Sequence, residues 1–85
     1  MEVIKINTVI AVRNRILHLC NERNLTINKL ANISALPPSS VKNILYGRSQ
    51  DPKIKTIKKL CNGLEITLGQ FFNTPEFDNL EQEIK

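Results

Sequence analysis

Apolar residues recur at three- and four-residue steps through most of this 85-residue chain, with polar residues filling the intervals. Val9, Val12, Ile16, Leu19 and Cys20 form the first such stripe, which predicts a helix with one buried face. Asn7 or Thr8 can cap it, and it runs to about Asn21 or Glu22 before Asn24 breaks the pattern. Thr26 is a good N-cap for a second, short helix whose apolar positions are Leu30, Ala31 and Ile33. Ser34, Ala35 and Leu36 form its exit turn. Pro37-Pro38 cannot lie inside a helix, but Pro38 fits the first turn of a third one, where a missing N–H loses no partner. That helix carries Val41, Ile44 and Leu45 inward and stops at Gly47, leaving Ser39, Lys42, Asn43 and Tyr46 facing out. Arg48 to Pro52 read as a polar loop. Ile54, Ile57, Leu60, Cys61 and Leu64 form a fourth stripe, interrupted by Gly63, and Thr67 caps a short fifth helix from Leu68 to Phe72. Thr74-Pro75-Glu76 combines an N-cap, an N1 proline and an acid suited to the helix dipole, so Phe77 to Ile84 is expected to add a weak extra helix. No internal repeat or low-complexity segment is visible.

The chain is 41% hydrophobic but has only three Phe, one Tyr and no Trp, so its core must be aliphatic. Together with the helical spacing this predicts an all-α fold. Eighty-five residues suffice for one small core and leave no room for a separate catalytic domain. The longest apolar run, Val9-Ile10-Ala11-Val12, is far short of a signal-peptide core or a membrane span, and the N-terminus carries Glu2 and Lys5. A cytoplasmic protein without membrane attachment is expected. Cys20 and Cys61 fall on apolar stripes, no CxxC or CxxH spacing occurs, and His18 is the single histidine. Both cysteines therefore read as buried free thiols, with no metal and no cofactor. His18 is expected to pack at the edge of the first helix. Ser39 and Ser40 with His18 and Asp51 lack the Gly-x-Ser-x-Gly elbow or an oxyanion loop, so an enzyme is not expected.

Charge adds direction. Residues 1–72 hold eleven Lys/Arg against four Asp/Glu, a balance of +7, whereas residues 73–85 hold one Lys against four acids, a balance of −3. Lys42, Arg48, Lys53, Lys55, Lys58 and Lys59 are opposed only by Asp51 between positions 42 and 59. A lysine-rich face can be merely solvated, but such clustering is also the footprint of a phosphate-binding surface.

Two short helices across a tight bend, the second with an exposed polar face, make a helix-turn-helix. Residues 26–47 meet that description. Ala31 is small enough for close crossing, Leu36 plugs the turn, and Val41 with Ile44 seats the second helix on the first. Thr26-Ile27-Asn28-Lys29-Leu30-Ala31, Val41 through Arg48, Pro52, Thr56-Ile57, Gly63 through Leu68 and Phe71-Phe72 resemble the Cro/CI (XRE) helix-turn-helix family over roughly residues 9 to 72. The resemblance implies a compact five-helix, lambda-repressor-like domain over residues 1–72, followed by an acidic tail, 73–85. It also implies a transcriptional regulator, usually a repressor, that acts as a homodimer on palindromic double-stranded DNA.

Carried onto this chain, the family's base-reading positions fall on Pro38, Ser39 and Asn43, with Lys42 beside them. Asn43 suits a bidentate pair with adenine, Ser39 can donate or accept, and Pro38 offers only an apolar contact. Phosphate contacts fall on Thr26, Ile27, Asn28, Tyr46 and Lys53, and charge alone adds Arg48 and Lys55. The chain departs from the common pattern at Ala35, where glycine is usual, and at Ile27, where glutamine is frequent. The Arg and Glu that many members pair between the first and third helices are Cys20 and Leu45 here. No small-molecule effector site is evident. A helical protein-interaction module, such as an antitoxin or anti-repressor, keeps the same bundle without DNA; Phe77, Leu80 and Ile84 of the tail would serve it or a dimer equally. Phe71, Phe72 and Phe77 are otherwise expected to close the bundle.

Overall fold

The computed structural model describes residues 7–84; the expectations attached to residues 1–6, including Glu2 and Lys5, and to Lys85 lie outside it. Among the described residues the chain is all-helical: α1 (Thr8–Glu22), α2 (Ile27–Ile33), α3 (Pro38–Leu45), α4 (Ile54–Leu64), α5 (Leu68–Phe72) and α6 (Pro75–Asp78). Five of the six match the helices predicted from periodicity, and the caps agree. Asn7 accepts from the Ile10 N–H at 2.9 Å, and Thr26 from the Lys29 N–H at 3.1 Å. Thr67 and Gln70 close a reciprocal capping box at the start of α5.

Each helix is too short to persist alone in water, so the elements depend on the shared core. That core draws Val12, Ile16, Leu19 and Cys20 from α1, Leu30 and Ala31 from α2, Val41 and Ile44 from α3, Ile57, Leu60, Cys61 and Leu64 from α4, and Phe71 from α5. Phe71, Phe72 and Phe77 form an edge-to-face cluster with centroids 4.8 and 4.9 Å apart for the two T-shaped pairs, closing the bundle as expected.

Three of the connections are built alike. Asn24, Ala35 and Glu65 adopt left-handed φ values of 53°, 54° and 59° after α1, α2 and α4. In each case the next residue's N–H reaches back over the end of the helix: Leu25 to Cys20 O, Leu36 to Ala31 O and Ile66 to Cys61 O, all at 2.9 Å. This is the Schellman ending, and Leu25, Leu36 and Ile66 turn their side chains onto the core. The residue after each is the N-cap of the next helix, namely Thr26, Pro37 and Thr67. Three residues thus end one helix, anchor the corner and begin another.

α2 and α4 approach closely. A Cβ on Gly63 would lie 2.4 Å from Ser34 Oγ and 3.0 Å from the Ile33 carbonyl, so the glycine read as an interruption of α4 is the place where the α2 end fits against it. Some sequence expectations do not hold. Ile54 is 59% exposed and Ile33 39%, because Ile54 opens α4 ahead of the buried stripe and Ile33 stands at the last turn of α2, off the Leu30–Ala31 face. Leu45 is only half-buried. His18 is exposed, pairing with Glu22 at 3.1 Å one turn on instead of packing at the core edge. The extra helix covers Pro75–Asp78 and does not continue to Ile84, since Asn79 closes it: its amide donates to the Pro75 carbonyl and its backbone N–H to that of Glu76. Phe77 consequently packs inward while Ile84 is 87% exposed, and the Phe77–Leu80–Ile84 stripe does not form.

The corners predict opposite responses to substitution. Ala35→Gly relieves a left-handed alanine and is expected to stabilise by up to about 1 kcal/mol, whereas Asn24→Ala introduces the same strain and destabilises by a similar amount. Thermal unfolding checks both, with shifts of roughly 4–8 °C per kcal/mol in opposite directions.

Candidate nucleic-acid interface

α3 is held by its inner side and open on its outer side. Val41 and Ile44 are at most 2% exposed, while Pro38, Ser39, Lys42 and the C-cap Tyr46 lie on the surface and Asn43 is half-buried beside them. Positions 38, 39, 42 and 46 share one helical face, so Ser39, Lys42 and Tyr46 face out together as predicted, whereas Asn43, predicted with them, turns half-buried to the side of the helix. Lys42 falls in the last turn, where the helix dipole favours a cation.

The helix starts around it carry unspent donors. Pro37 and Lys53, the N-caps of α3 and α4, make no side-chain capping bond. Thr26 satisfies only the Lys29 N–H on α2, leaving the Ile27 and Asn28 N–H groups for an outside acceptor. The Ile27 side chain packs on the core, so this residue can offer only its backbone.

The loop between α3 and α4 is tied down in its first half. Ser49 N–H donates to the Asn43 carbonyl at 2.8 Å, and Gln50 Nε2 to the Gly47 carbonyl at 2.6 Å. Gly47, at φ 84°, supplies the left-handed turn that starts the loop. The result is a cleft of about 290 Å³ lined by Ser40, Asn43, Ser49, Asp51, Lys53 and Thr56. It brings together Asn43 and Lys53 from the sequence prediction. Pro38, Ser39, Lys42 and Tyr46 stand outside it on the α3 face, Arg48 and Lys55 are exposed on the loop and α4, and Thr26 to Asn28 form a separate edge at the start of α2.

Sequence reading missed Ser40, Ser49 and Thr56 in the cleft, although Ser40 precedes Asn43 by three residues and Thr56 follows Lys53 by three, the spacing that shares a helix face. It also missed Arg13. This α1 side chain donates from Nε to the Ile44 carbonyl at 2.6 Å, and its Nη2 is buried beside Gly47. An orphan carbonyl in the last turn of α3 is thereby satisfied by a cation, tying α1 to the end of the exposed helix. Arg15 and Arg23 act similarly elsewhere, donating to the Phe71 and Gln70 carbonyls and to the Leu64 carbonyl.

Among the described residues no carboxylate pairs with the lysines and arginine of the exposed face, and the one contact of that kind is His18–Glu22 on α1. Burial pushes the Cys20 and Cys61 thiols up, with Lys58 and Arg15 partly offsetting it at Cys61, so both remain neutral core groups at physiological pH.

A family model described as a Cro/C1-type HTH DNA-binding domain matches residues 15–76, nearly three-quarters of the sequence. The chain belongs to the Cro/C1-type helix-turn-helix family. The sequence expectation for the motif, about residues 26–47, falls on α2, the corner from Ser34 to Pro37, and α3. The fold is also similar to the crystal structure of the prophage Lp1 protein 11, at a TM-score of 0.77 and 33% identity over 88% of this chain and 99% of that one. A search of the curated proteins gives no match. The family is one of DNA-binding regulators and not typically enzymatic. No helix among the described residues is long and apolar enough to cross a membrane.

If Arg13 seats the end of α3, Arg13→Ala should lower stability by about 1–3 kcal/mol, the range for stranding a buried hydrogen-bonding group. Amide hydrogen exchange should then show the largest loss of protection in the last turn of α3, while a uniform loss across α1 to α5 would assign Arg13 to bulk packing.

Proposed function

We propose that this protein is a cytoplasmic transcriptional repressor that binds operator DNA as a homodimer, inserting α3 into the major groove. Residues 1–72 are its DNA-binding unit, and 73–85 an appended acidic tail. The observation that carries this reading is the outward face of α3, polar and cationic, flanked by helix starts with open N–H groups and by unpaired lysines.

In this reading Pro38, Ser39, Lys42 and Asn43 meet base edges, because the N-terminal residues of a recognition helix reach deepest into the groove. Asn43 supplies the most discriminating contact: a bidentate pair with adenine is worth roughly 1–3 kcal/mol against a wrong base. Thr26, Ile27 and Asn28 hold phosphate through the start of α2, Ile27 by its N–H alone. Tyr46, Arg48, Lys53 and Lys55 hold the backbone on the other flank. A homodimer sets two such helices about 34 Å apart, one turn of duplex.

Selection from a random duplex library at two salt concentrations tests the reading directly. The expected outcome is a palindrome with half-sites about one helical turn apart; weak salt-sensitive retention without any enriched sequence would instead point to a partner-binding module. On the selected operator, Asn43→Ala should reduce affinity by roughly 5- to 150-fold and relax preference at one position, the equivalent of 1–3 kcal/mol. Lys53→Ala should weaken operator and random duplex alike and lower the salt slope by about 1.

A further inference from the structure

The acidic end of the chain does not trail away from the basic body. It comes back to it. Glu83 accepts a hydrogen bond from the Thr8 hydroxyl at 2.8 Å, across 75 positions of sequence. Thr8 is the first residue of α1, a helix with no acidic residue in its own first turn, so the Glu83 carboxylate stands where the helix dipole favours negative charge. The same carboxylate thus gains both the hydrogen bond and the charge at the helix start. Phe77, fixed against Phe72, sets the point from which it returns.

The landing place adjoins the face proposed for DNA. Glu83 lines a cavity of about 400 Å³ with Asn7, Thr8, Asp51, Pro52 and Phe72. Asp51 and Pro52 also line the cleft that contains Asn43 and Lys53. These two loop residues are thus shared between the cleft of the exposed helix and the cavity that the tail carboxylate lines. Glu81, exposed two residues before Glu83, adds a second negative charge on the same segment. Repulsion between such carboxylates and a phosphate backbone decays over about 10 Å at 0.1 M salt, so their placement beside this loop matters while the same charges at the far ends of α1 or α4 would not.

We propose that residues 79–84 are a built-in electrostatic brake on DNA binding: docked on the first turn of α1 through Glu83, they set negative charge beside the α3–α4 loop and lower affinity for duplex DNA. The proposal rests on the DNA-binding reading above. Because the anchor is solvent-exposed and charged, salt weakens both the docking and the repulsion, and the brake is a low-salt effect. It acts on phosphate and not on base edges, so it changes affinity for all sequences equally.

The test is fluorescence anisotropy with a random-sequence duplex at 50 and 300 mM salt. Glu81→Gln/Glu83→Gln is compared with Glu22→Gln/Glu65→Gln, which removes the same net charge from the far ends of α1 and α4; circular dichroism confirms folding of each. The tail variant is expected to bind about three- to tenfold more tightly at low salt, falling to less than about twofold at high salt, as screening requires. The control should gain less than about half as much at low salt. Equal gains in the two variants, or none in either, would overturn the brake while wild-type binding leaves the DNA reading standing. Failure of every form, wild type included, to bind duplex would overturn both.

Discussion

Every helix in this protein is too short to be stable by itself, so the corners between helices govern the structure as much as the core does. Asn24-Leu25-Thr26, Ala35-Leu36-Pro37 and Glu65-Ile66-Thr67 solve one problem three times. A helix end has carbonyls without partners and a chain that must change direction within a few residues. A left-handed residue turns the chain, the following N–H satisfies a carbonyl, and the apolar side chain of that following residue packs the corner against the core cluster. Only asparagine among the three is well suited to the left-handed region; Ala35 and Glu65 accept strain on the order of 1 kcal/mol each because Leu36 and Ile66, partly buried against the core, over-determine the turn.

That arrangement decides how α3 is displayed. Its inner residues Val41 and Ile44 are locked by the core, its N-terminus is fixed by the Leu36–Pro37 corner, and its C-terminus is held by Arg13 from α1. Side chains on its outer face contribute little to any of these anchors, so they can vary without unfolding the domain. The close approach of Gly63 to Ser34 and Ile33 fixes α4 against the turn, which in turn sets where Lys53 and the loop stand relative to α3. The geometry of the cleft is thus inherited from packing on the opposite side of α3.

Much of this was legible in the sequence where one local signal was sufficient. Apolar spacing marked α1 to α5, threonine caps marked the starts of α2 and α5, and Gly47 marked the end of α3. The left-handed turn at Ala35 followed from the family likeness. What escaped was of two kinds. Arg13, Arg15 and Arg23 look like surface cations in a stripe diagram, yet each reaches a backbone carbonyl more than thirty positions away, and no periodicity encodes a carbonyl acceptor. The tail was misjudged for a related reason. Phe77, Leu80 and Ile84 have helical spacing, but the pull of Phe71 and Phe72 on Phe77 and the closure at Asn79 end the helix after one turn. Its return to Thr8 is a contact between the two ends of the chain, visible only once the fold has brought them together.

The repetition of the corner also bears on what makes this a helix-turn-helix. The turn between α2 and α3 is built like those after α1 and α4, so nothing in its backbone singles it out for DNA. What differs is the flanking surface. After Leu25 and Ile66 the next helices begin with threonine caps that satisfy a backbone N–H, whereas after Leu36 the next helix begins with two prolines and no side-chain cap. Pro38 pre-sets the first turn without needing a partner for its nitrogen, and Pro37, whose carbonyl accepts from the Ser40 N–H, has no side-chain oxygen to place in front of the helix. The start of α3 is therefore left bare, with Ser39 at its rim. A short capping side chain would serve stability there, and its absence leaves the approach to the exposed face unobstructed for a large partner.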